Sequence, residues 1–193
     1  MKKILIVGAG GQIGSELTVY LRKIYGNQNV VATDMRDCKE LGADGPFEVL
    51  NALDATSMAS VVARYQIDTI FNLVALLSAV GERNPQMAWA VNMGALNNSL
   101  EVARQHHCAL FTPSSIGAFG PSSPKDGTPQ DTIMQPTTIY GICKYTGEML
   151  GNYYHQKYGV DTRSVRFPGI ISNVTLPGGG TTDYAVEIYY EAI

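Results

Sequence analysis

The sequence predicts an α/β fold in which helices cover both faces of a doubly wound parallel sheet. Three observations lead to this fold class. Short apolar segments alternate with longer amphipathic segments at regular spacing along the chain. The apolar segments show little period-two alternation, as expected for strands that are buried on both faces. A glycine cluster separates the first apolar segment from the first amphipathic one.

The first half of the chain provides three strands and two helices. Asp54 is a suitable N-cap for the second helix. The segment that contains Gly42, Gly45 and Pro46 shows no regular period, so we expect it to be irregular. The predicted elements are, in order, a strand over residues 3–7, a helix over Gln12–Tyr25, a strand over 29–33 ending at Asp34, a helix over Ala55–Tyr65 and a strand over 69–74.

The second half continues the alternation with longer helices. The predicted elements are a helix over residues 86–107, a strand over 109–114, a loop over 117–136, a helix over 138–158 and a strand over 161–167. The pattern becomes irregular after Phe167, and one more short helix begins at Tyr184. We therefore expect one domain over residues 1–167 and the beginning of a further region over 168–193.

Composition and charge exclude several classes of function. The chain has 193 residues, of which 45% are hydrophobic, so it is long enough to bury a sizeable core. Its formal net charge of -3 provides no basic surface for phosphate backbones, which argues against nucleic acid as a partner. Its apolar runs are short and interrupted by polar residues, so we expect no membrane span.

Cysteine and histidine usage predicts a reduced protein without a metal site. Cys38, Cys108 and Cys143 are scattered, odd in number and lack the spacing of metal ligands. We therefore interpret them as free thiols in a cytoplasmic protein. His106 and His107 are adjacent, so their side chains would diverge on a helix rather than share a metal ion.

The glycine cluster predicts a nucleotide site. Gly8, Gly11 and Gly14 have the spacing GxxGxxG, since position 13 is Ile and not the glycine of GxGxxG. Glycines allow a tight turn and let the backbone approach a pyrophosphate, which the helix N-terminus attracts. A tight turn without any ligand is the alternative. The position of the cluster between a strand and an amphipathic helix favours the nucleotide site.

Asp34 predicts a preference for NAD over NADP. It lies 20 residues after Gly14, at the end of the second strand, where a carboxylate can bind the ribose hydroxyls of adenosine. The same carboxylate would repel a 2′-phosphate. Arg36 points the other way, because a nearby arginine can serve such a phosphate, but we give the acidic residue more weight. Asp54 would approach the adenine, cap its helix, or do both.

The segment from Tyr140 to Lys144 predicts acid–base chemistry. Its YxxxK spacing puts both side chains on one helix face, where the ammonium should lower the pKa of the phenol. The phenolate can then take a hydroxyl proton as hydride leaves the same carbon. Lys144 is also placed to bind the nicotinamide ribose. Ser115, or its neighbour Ser114, follows a strand and can bind the substrate oxygen near Tyr140; turn formation is the alternative for this serine pair.

The ordered set of glycine loop, Asp34, Ser115 and YxxxK resembles the extended short-chain dehydrogenases/reductases, and the resemblance covers the whole chain. This family has a Rossmann-type fold and binds NAD in its first domain. Two stretches, residues 113–121 and residues 168–186 with their PGGGTTDYAV run, are similar to the L-threonine 3-dehydrogenases of the short-chain type. The resemblance implies oxidation of the threonine C3 hydroxyl to 2-amino-3-oxobutyrate with NAD, in a homodimer paired through its two long helices.

The resemblance also implies roles for individual residues. Ser115, Tyr140 and Lys144 are the expected catalytic set. Val74 is an alanine in many relatives, which is a mild departure. Besides the glycines, Asp34, Arg36, Asp54, Tyr140 and Lys144, the expected cofactor residues are Gln12, Ile13, Leu73, Val74, Ala75, Asn92, Pro168 and Ile170. Besides Ser115 and Tyr140, the expected substrate residues are Ser78, Thr181 and Thr182.

Two other functions remain open from the sequence. One is a nucleotide-sugar epimerase or dehydratase of the same superfamily, against which the PGGGTTDYAV stretch argues. The other is a catalytically silent NAD(H)-binding module, against which the intact Ser115, Tyr140 and Lys144 argue. Members of the family continue beyond the position that corresponds to Ile193, so we expect only the start of a C-terminal substrate-binding region here.

Overall fold

A computed structural model describes residues 2–171 and 183–192 and contains one parallel sheet with the strand order β3-β2-β1-β4-β5-β6. This topology confirms the predicted Rossmann-type α/β fold. The order changes direction between β1 and β4, and ligands of such sheets bind at this point beyond the carboxyl ends of the strands. The strands are β1 (Ile4–Val7), β2 (Val30–Asp34), β3 (Phe47–Val49), β4 (Thr69–Asn72), β5 (Ala109–Ser115) and β6 (Thr162–Phe167).

Seven helices connect or follow these strands within the described part of the chain. Thr138 caps α6 by accepting a hydrogen bond from the N–H of Gly141 at 3.0 Å, and Asn84 caps α5 through Met87 at 3.2 Å. The helices are α1 (Gln12–Tyr25), α2 (Lys39–Gly42), α3 (Ala55–Tyr65), α4 (Ser78–Arg83), α5 (Pro85–His106), α6 (Ile139–Tyr158) and α7 (Tyr184–Glu191).

Three short elements were not predicted, namely α2, β3 and α4. Each has three to six residues, which is too short for a hydrophobic period to develop. The segment around Gly42 and Gly45, expected to be irregular, contains both α2 and β3. Strand β3 exists because it pairs with β2, with Ala32 opposite Phe47 and Asp34 opposite Val49. Pairing with β2 in the sheet therefore stabilises a strand that the local sequence did not predict.

Strand β1 supplies alternate side chains to two cores. Leu5 and Val7 point into a core that also contains buried residues of α3, α5 and α6. Ile4 and Ile6 point to the other face, where α1 and α2 cover the sheet. Successive side chains of a strand point to opposite faces, so a fully apolar β1 is what a doubly covered sheet requires.

Strand β6 lies at the opposite edge of the sheet from β3, and both edge strands are less protected than β1 and β2. None of the residues of β6 is fully buried, and Val165 is 49% exposed. It pairs with β5 in register, with Ser114 opposite Arg166 and Ser115 opposite Phe167. None of the helices in the described ranges is both long enough and apolar enough to cross a membrane.

Candidate active site

The turn between β1 and α1 is tight because side chains would not fit in it. Gly8 has a φ of +87°, a backbone conformation that favours glycine, and its N–H donates to the carbonyl of Thr33 at 2.9 Å. A Cβ at Gly8 would lie 3.1 Å from Cγ2 of Val74, and a Cβ at Gly14 would collide with the carbonyl oxygen of Gly8. The glycines thus let α1 pack closely on the ends of β1 and β4.

The first turn of α1 leaves open the space that a diphosphate needs. Gly11 is the N-cap of α1. Apart from atoms of its chain neighbours and of its own helix, a Cβ at Gly11 would approach only the carbonyl oxygen of Gly8, at 3.4 Å. Within the described chain, this turn holds no acidic residue and no side chain caps it. Backbone N–H groups at such a helix end attract anions. The loop therefore fits the pyrophosphate of a dinucleotide.

The glycine loop faces the segment that follows β6. Gln12 and Ile13, two of the expected cofactor residues, are half-buried in the first turn of α1. The side-chain amide of Gln12 donates to the carbonyl oxygen of Ile170 at 3.3 Å. Pro168 is exposed and Ile170 is half-buried. These four residues lie far apart in sequence, and the Gln12–Ile170 contact joins their two segments at the carboxyl edge of the sheet.

Asp34 ends β2 and uses both carboxylate oxygens. Oδ2 accepts from the N–H of Gly10 at 2.9 Å, and Oδ1 accepts from the N–H and Nε of Arg36 at 3.0 and 3.1 Å. Burial by itself raises the pKa of Asp34, but these hydrogen bonds outweigh it and lower the pKa below its usual value. Arg36 is held by Asp34 and by the carbonyl of Gly10 at 2.8 Å, so a carboxylate and a guanidinium form an ion pair at this strand end.

Gly10 belongs to the same glycine loop, although the sequence predicted this loop from Gly8, Gly11 and Gly14. A Cβ at Gly10 would lie 2.6 Å from Sγ of Cys38 and 3.0 Å from Oδ2 of Asp34. Its N–H is also a hydrogen-bond donor to Asp34. Its position within the glycine cluster was the one indication in the sequence. Its partner Asp34 lies 24 residues away, and only the fold brings the two together.

Asp54 caps a helix. Its Oδ1 accepts from the N–H of Ser57 at 3.0 Å and its Oδ2 accepts from the Ser57 hydroxyl at 2.7 Å. These hydrogen bonds lower the pKa of the Asp54 carboxyl. Of the two roles that the sequence left open, the structure shows the cap, and a contact to the adenine stays a prediction.

Asn92 holds the loop that leads from β4 to α4. Its Oδ1 accepts from the N–H of Leu76 at 2.7 Å, and its Nδ2 donates to the Leu76 carbonyl at 3.2 Å. The side-chain carbonyl and NH2 groups of Asn92 both bind this loop at Leu76. Leu76 lies two residues before Ser78, where α4 begins. The expected cofactor residues Leu73, Val74 and Ala75 are half-buried in the same loop, next to the glycine turn. Thr181 and Thr182, also expected to bind substrate, lie outside the described residues.

The three expected catalytic residues meet where β5 ends and α6 begins. Ser115 is the last residue of β5, and its hydroxyl lies close enough to Tyr140, in the first turn of α6, to lower the pKa of that phenol. It also accepts from the N–H of Gly117 at 3.1 Å. Lys144, one turn further, lies with its Nζ 5.4 Å from the ring centroid of Tyr140 and donates to the carbonyl of Pro113 at 2.7 Å. A hydroxyl, a phenol and an ammonium therefore share one small site.

The predicted lowering of the Tyr140 pKa is wrong for this structure. Burial raises the pKa of the phenol, and the hydrogen bond from Ser115 opposes that rise only in part. Burial also lowers the pKa of Lys144 to about 8. The physical reason is that the Lys144 ammonium is directed at the Pro113 carbonyl, while the aromatic ring loses its contact with water.

Ser114 and Ser115, which the sequence did not separate, have different partners. Ser114 is 4% exposed, and its hydroxyl donates to the carboxylate of Glu148. Ser115 is half-buried beside Tyr140. Both partners belong to α6 and lie eight residues apart on it. Ser115 is thus the serine that can reach a substrate oxygen, and Ser114 joins β5 to α6.

Comparison with known proteins gives consistent similarities. Residues 4–183 match the model of the NAD dependent epimerase/dehydratase family. An uncharacterized epimerase/dehydratase from Staphylococcus saprophyticus is 57% identical over 195 residues, which cover 100% of this chain and 61% of that relative. The chain therefore spans about three fifths of the length of the curated relatives that it matches.

Two solved structures share both sequence and fold with this chain. L-threonine dehydrogenase from Clostridium difficile is 57% identical with a TM-score of 0.95, over 100% of this chain and 61% of that one. An L-threonine dehydrogenase from Cupriavidus necator, in its holo form, is 52% identical with a TM-score of 0.94, over 99% of this chain and 62% of that one.

Proposed function

Because this chain belongs to the NAD dependent epimerase/dehydratase family, we propose that it forms the cofactor-binding and catalytic part of an NAD-dependent L-threonine 3-dehydrogenase. Family membership confirms the predicted resemblance and NAD as the cofactor. The observation that carries the proposal is the meeting of Ser115, Tyr140 and Lys144 in a chain 57% identical to an L-threonine dehydrogenase of known structure. The cofactor-binding domain spans residues 1–167, and the substrate-binding region begins in 168–193.

In the proposed reaction, Ser115 binds the C3 hydroxyl oxygen of L-threonine and the Tyr140 phenolate accepts its proton. Bound NAD supplies the acceptor for the hydride that leaves C3. One O–H bond and one C–H bond break, a C3 carbonyl forms, and the product is 2-amino-3-oxobutyrate. Below pH 8 the Lys144 side chain is mainly an ammonium, and its Nζ lies 5.4 Å from the ring centroid of Tyr140.

The raised pKa of Tyr140 implies an alkaline rate maximum. The productive state needs Tyr140 as phenolate and Lys144 as ammonium. Because the Tyr140 pKa lies above its usual value and that of Lys144 is about 8, activity should rise with pH from neutrality, level off above pH 8 and fall once the pH exceeds the pKa of Tyr140. We expect a maximum above pH 8, and a maximum at acidic pH would contradict Tyr140 as the base.

The residues that would hold NAD are those of the glycine loop and the strand ends beside it. Gly8, Gly10, Gly11 and the first turn of α1 would face the pyrophosphate, and Asp34 would bind the adenosine ribose. Lys144 would bind the nicotinamide ribose through the same ammonium that adjoins Tyr140. The remaining proposed contacts are Gln12, Ile13, Leu73, Val74, Ala75, Pro168 and Ile170.

A homodimer through α5 and α6 is part of the proposal. Large apolar side chains are exposed on both helices, and a dimer interface there would cover them. They are Met87 and Trp89 on α5, and Ile142, Met149 and Tyr153 on α6. Two such helix pairs would cover one another as a four-helix bundle.

The test is NAD reduction by the purified chain with a panel of amino acids and nucleotide sugars. We expect NADH formation with L-threonine and none with nucleotide sugars. Net conversion of a nucleotide sugar without NADH release would favour an epimerase. NAD binding without turnover of any substrate, in this chain and in one extended to the length of its relatives, would favour a silent NAD(H)-binding module. Tyr140→Phe provides the matched control, since it keeps the ring and removes the hydroxyl.

A further inference from the structure

One face of α6 presents three side chains, each four residues apart, to the last three residues of β5. Positions i, i+4 and i+8 of a helix lie on the same side. Two of these contacts belong to the catalytic set, and the third does not. The contacts are Tyr140 to the Ser115 hydroxyl, Lys144 to the Pro113 carbonyl at 2.7 Å, and Glu148 to the Ser114 hydroxyl.

Glu148 is held in turn by Arg166 of β6. Nε of Arg166 donates to Oε1 at 2.9 Å and its Nη2 donates to Oε2 at 2.8 Å. This two-point contact fixes the orientation of the guanidinium relative to the carboxylate. Nη1 of Arg166 donates to the carbonyl of Gln130 at 3.0 Å, and the guanidinium lies 5.2 Å from the ring centroid of Phe119. Arg166 stands opposite Ser114 in the β5–β6 register. The pair therefore ties α6, β5, β6 and the loop after β5 together.

This ion pair is far less exposed than the other one on β6. The side chains of Arg166 and Glu148 are 17% and 14% exposed, whereas those of Arg163 and Asp161 are 75% and 53% exposed. Removing one member of a sheltered pair leaves an uncompensated charge, while an exposed pair contributes little. The Arg166–Glu148 pair thus has the burial and the connections to fix the spacing between α6 and β5.

We infer that Glu148 and Arg166 are positioning residues, which hold Ser114 and thereby set the distance between Ser115 and Tyr140 at which the proton is transferred. The inference rests on the proposed function of Ser115 and Tyr140. Neither Glu148 nor Arg166 needs to touch substrate. They act through β5, because Ser114 and Ser115 are neighbours on one strand and a shift of the first moves the second.

The pKa of Tyr140 reports a movement of β5 relative to α6. Its hydrogen bond from Ser115 lowers the phenol pKa against the effect of burial. Lys144 of the same helix also adjoins the ring, with its Nζ 5.4 Å from the centroid, and it does not lie on β5. Glu82 of α4 contacts the start of α6 through the N–H of Ile139 at 2.7 Å. A movement of β5 away from α6 therefore weakens the Ser115 contact and raises the pKa of Tyr140.

Three variants and one matched control test the inference. Arg166→Lys keeps the positive charge and loses the two-point contact. Glu148→Gln removes the negative charge and keeps the shape. Ser114→Ala removes the link to β5 and leaves the ion pair intact. Arg163→Lys is the control, since it applies the same substitution to the same strand in an exposed ion pair with Asp161.

The pKa of Tyr140 is measured by NMR of tyrosine-labelled protein, with the signal assigned through Tyr140→Phe. We expect it to rise in the three variants and to stay unchanged in Arg163→Lys. The kcat for L-threonine should fall roughly ten- to a hundredfold, because small misplacements of reacting groups are costly, while KM and NAD affinity stay near their original values. A Tyr140 pKa that is unchanged in Ser114→Ala and Arg166→Lys would overturn the inference.

The two hypotheses fail in different ways. The Tyr140 titration needs no substrate, so a raised pKa without any threonine oxidation supports the positioning role and contradicts the proposed function. Normal kcat and normal Tyr140 pKa in all three variants would leave the function standing and remove the positioning role. Thermal unfolding shows whether each variant is folded, and Ser114→Ala decides the matter if Glu148→Gln unfolds, since it deletes only one hydroxyl.

Discussion

The centre of the sheet and its β6 edge are protected from water to different degrees. Every residue of β1 and β2 is buried, and helices cover both of their faces. Strand β6 has no fully buried residue, and β5, which carries Ser115, is only partly buried. The proposed nucleotide residues therefore stand at the ends of buried strands, whereas the proposed catalytic residues stand beside the exposed β6 edge.

The difference shows two ways of fixing a site. The glycine loop is fixed by backbone packing, since Gly8 and Gly14 leave no room for a side chain. The catalytic end of β5 is fixed by side-chain contacts to α6, from Pro113, Ser114 and Ser115. Cofactor binding should therefore be robust to changes near β6, and turnover should be sensitive to them.

The largest expected effect separates binding from chemistry. Tyr140→Phe should lower kcat by roughly 10²–10⁴-fold, since the proton acceptor is lost, and should leave NAD affinity unchanged. Steady-state kinetics and calorimetric NAD titration measure the two quantities. Near-normal turnover in this variant would mean that another group is the base.

Lys144→Met should stabilise the protein at neutral pH. Burial lowers the folded-state pKa of Lys144 from its usual 10.5 to about 8, so the folded state binds this proton more weakly than the unfolded state. The cost of the buried charge is complete below pH 8 and disappears above pH 10.5, and it corresponds to about 3 kcal/mol. Removing the charge should raise the free energy of unfolding at pH 7 by up to about 3 kcal/mol.

Chemical denaturation between pH 7 and pH 10 measures this effect. The original chain should gain stability as the pH rises above 8, and Lys144→Met should lose that dependence. Lys157→Met is a control on the exposed end of the same helix, where contact with Tyr153 raises the pKa of the lysine. Equal pH dependence of Lys144→Met and the original chain would show that Lys144 is not a buried charge.

The length of the chain should affect turnover more than cofactor binding. A version extended to the length of its relatives is expected to oxidise L-threonine roughly tenfold faster or more, because a closed site excludes water and orients the substrate. Its NAD affinity should match that of residues 1–193, since the nucleotide side is already covered. Equal activity of the two versions would contradict the expected dependence of turnover on the added residues.

Asp34→Ala should produce the smallest of these effects, confined to the nucleotide side. It removes the carboxylate that disfavours a 2′-phosphate and releases Arg36, which is now bonded to Asp34 at 3.1 Å. The NAD over NADP preference should narrow by roughly tenfold, as for the loss of one charged hydrogen bond. Asp34→Ala combined with Arg36→Ala separates the two contributions. Equal binding of NAD and NADP to the original chain would contradict the role of Asp34.

Local sequence predicted the long elements well. The bounds of α1 and α3 agree with the structure, and α5, α6 and the strands differ by one or two residues. The hydrophobic period and the capping residues that determine such elements lie within a few helical turns of one another in the sequence. Elements α2, β3 and α4 were missed because their stability comes from neighbours in the sheet and not from their own three to six residues.

Motif spacing predicted the site less completely. It brought together Ser115, Tyr140 and Lys144, but it left Ser114 and Ser115 as alternatives and gave the Tyr140 pKa the wrong direction. Burial sets that pKa, and burial depends on residues far from position 140. Glu148 and Arg166 were not identified, and Gly10 was not singled out within its cluster, since each contributes through partners that are distant in sequence.

The sequence by itself determined the order of strands and helices, the glycine turn, the acidic end of β2 and the YxxxK spacing, because each depends on residues within one or two turns of each other. The tertiary structure alone decided which distant groups meet. Gln12 reaches Ile170 across 158 positions, and Arg166 reaches Glu148 and Gln130 from a different strand. Contacts of this kind depend on how strands align in the sheet, and that alignment is a property of the whole packed domain.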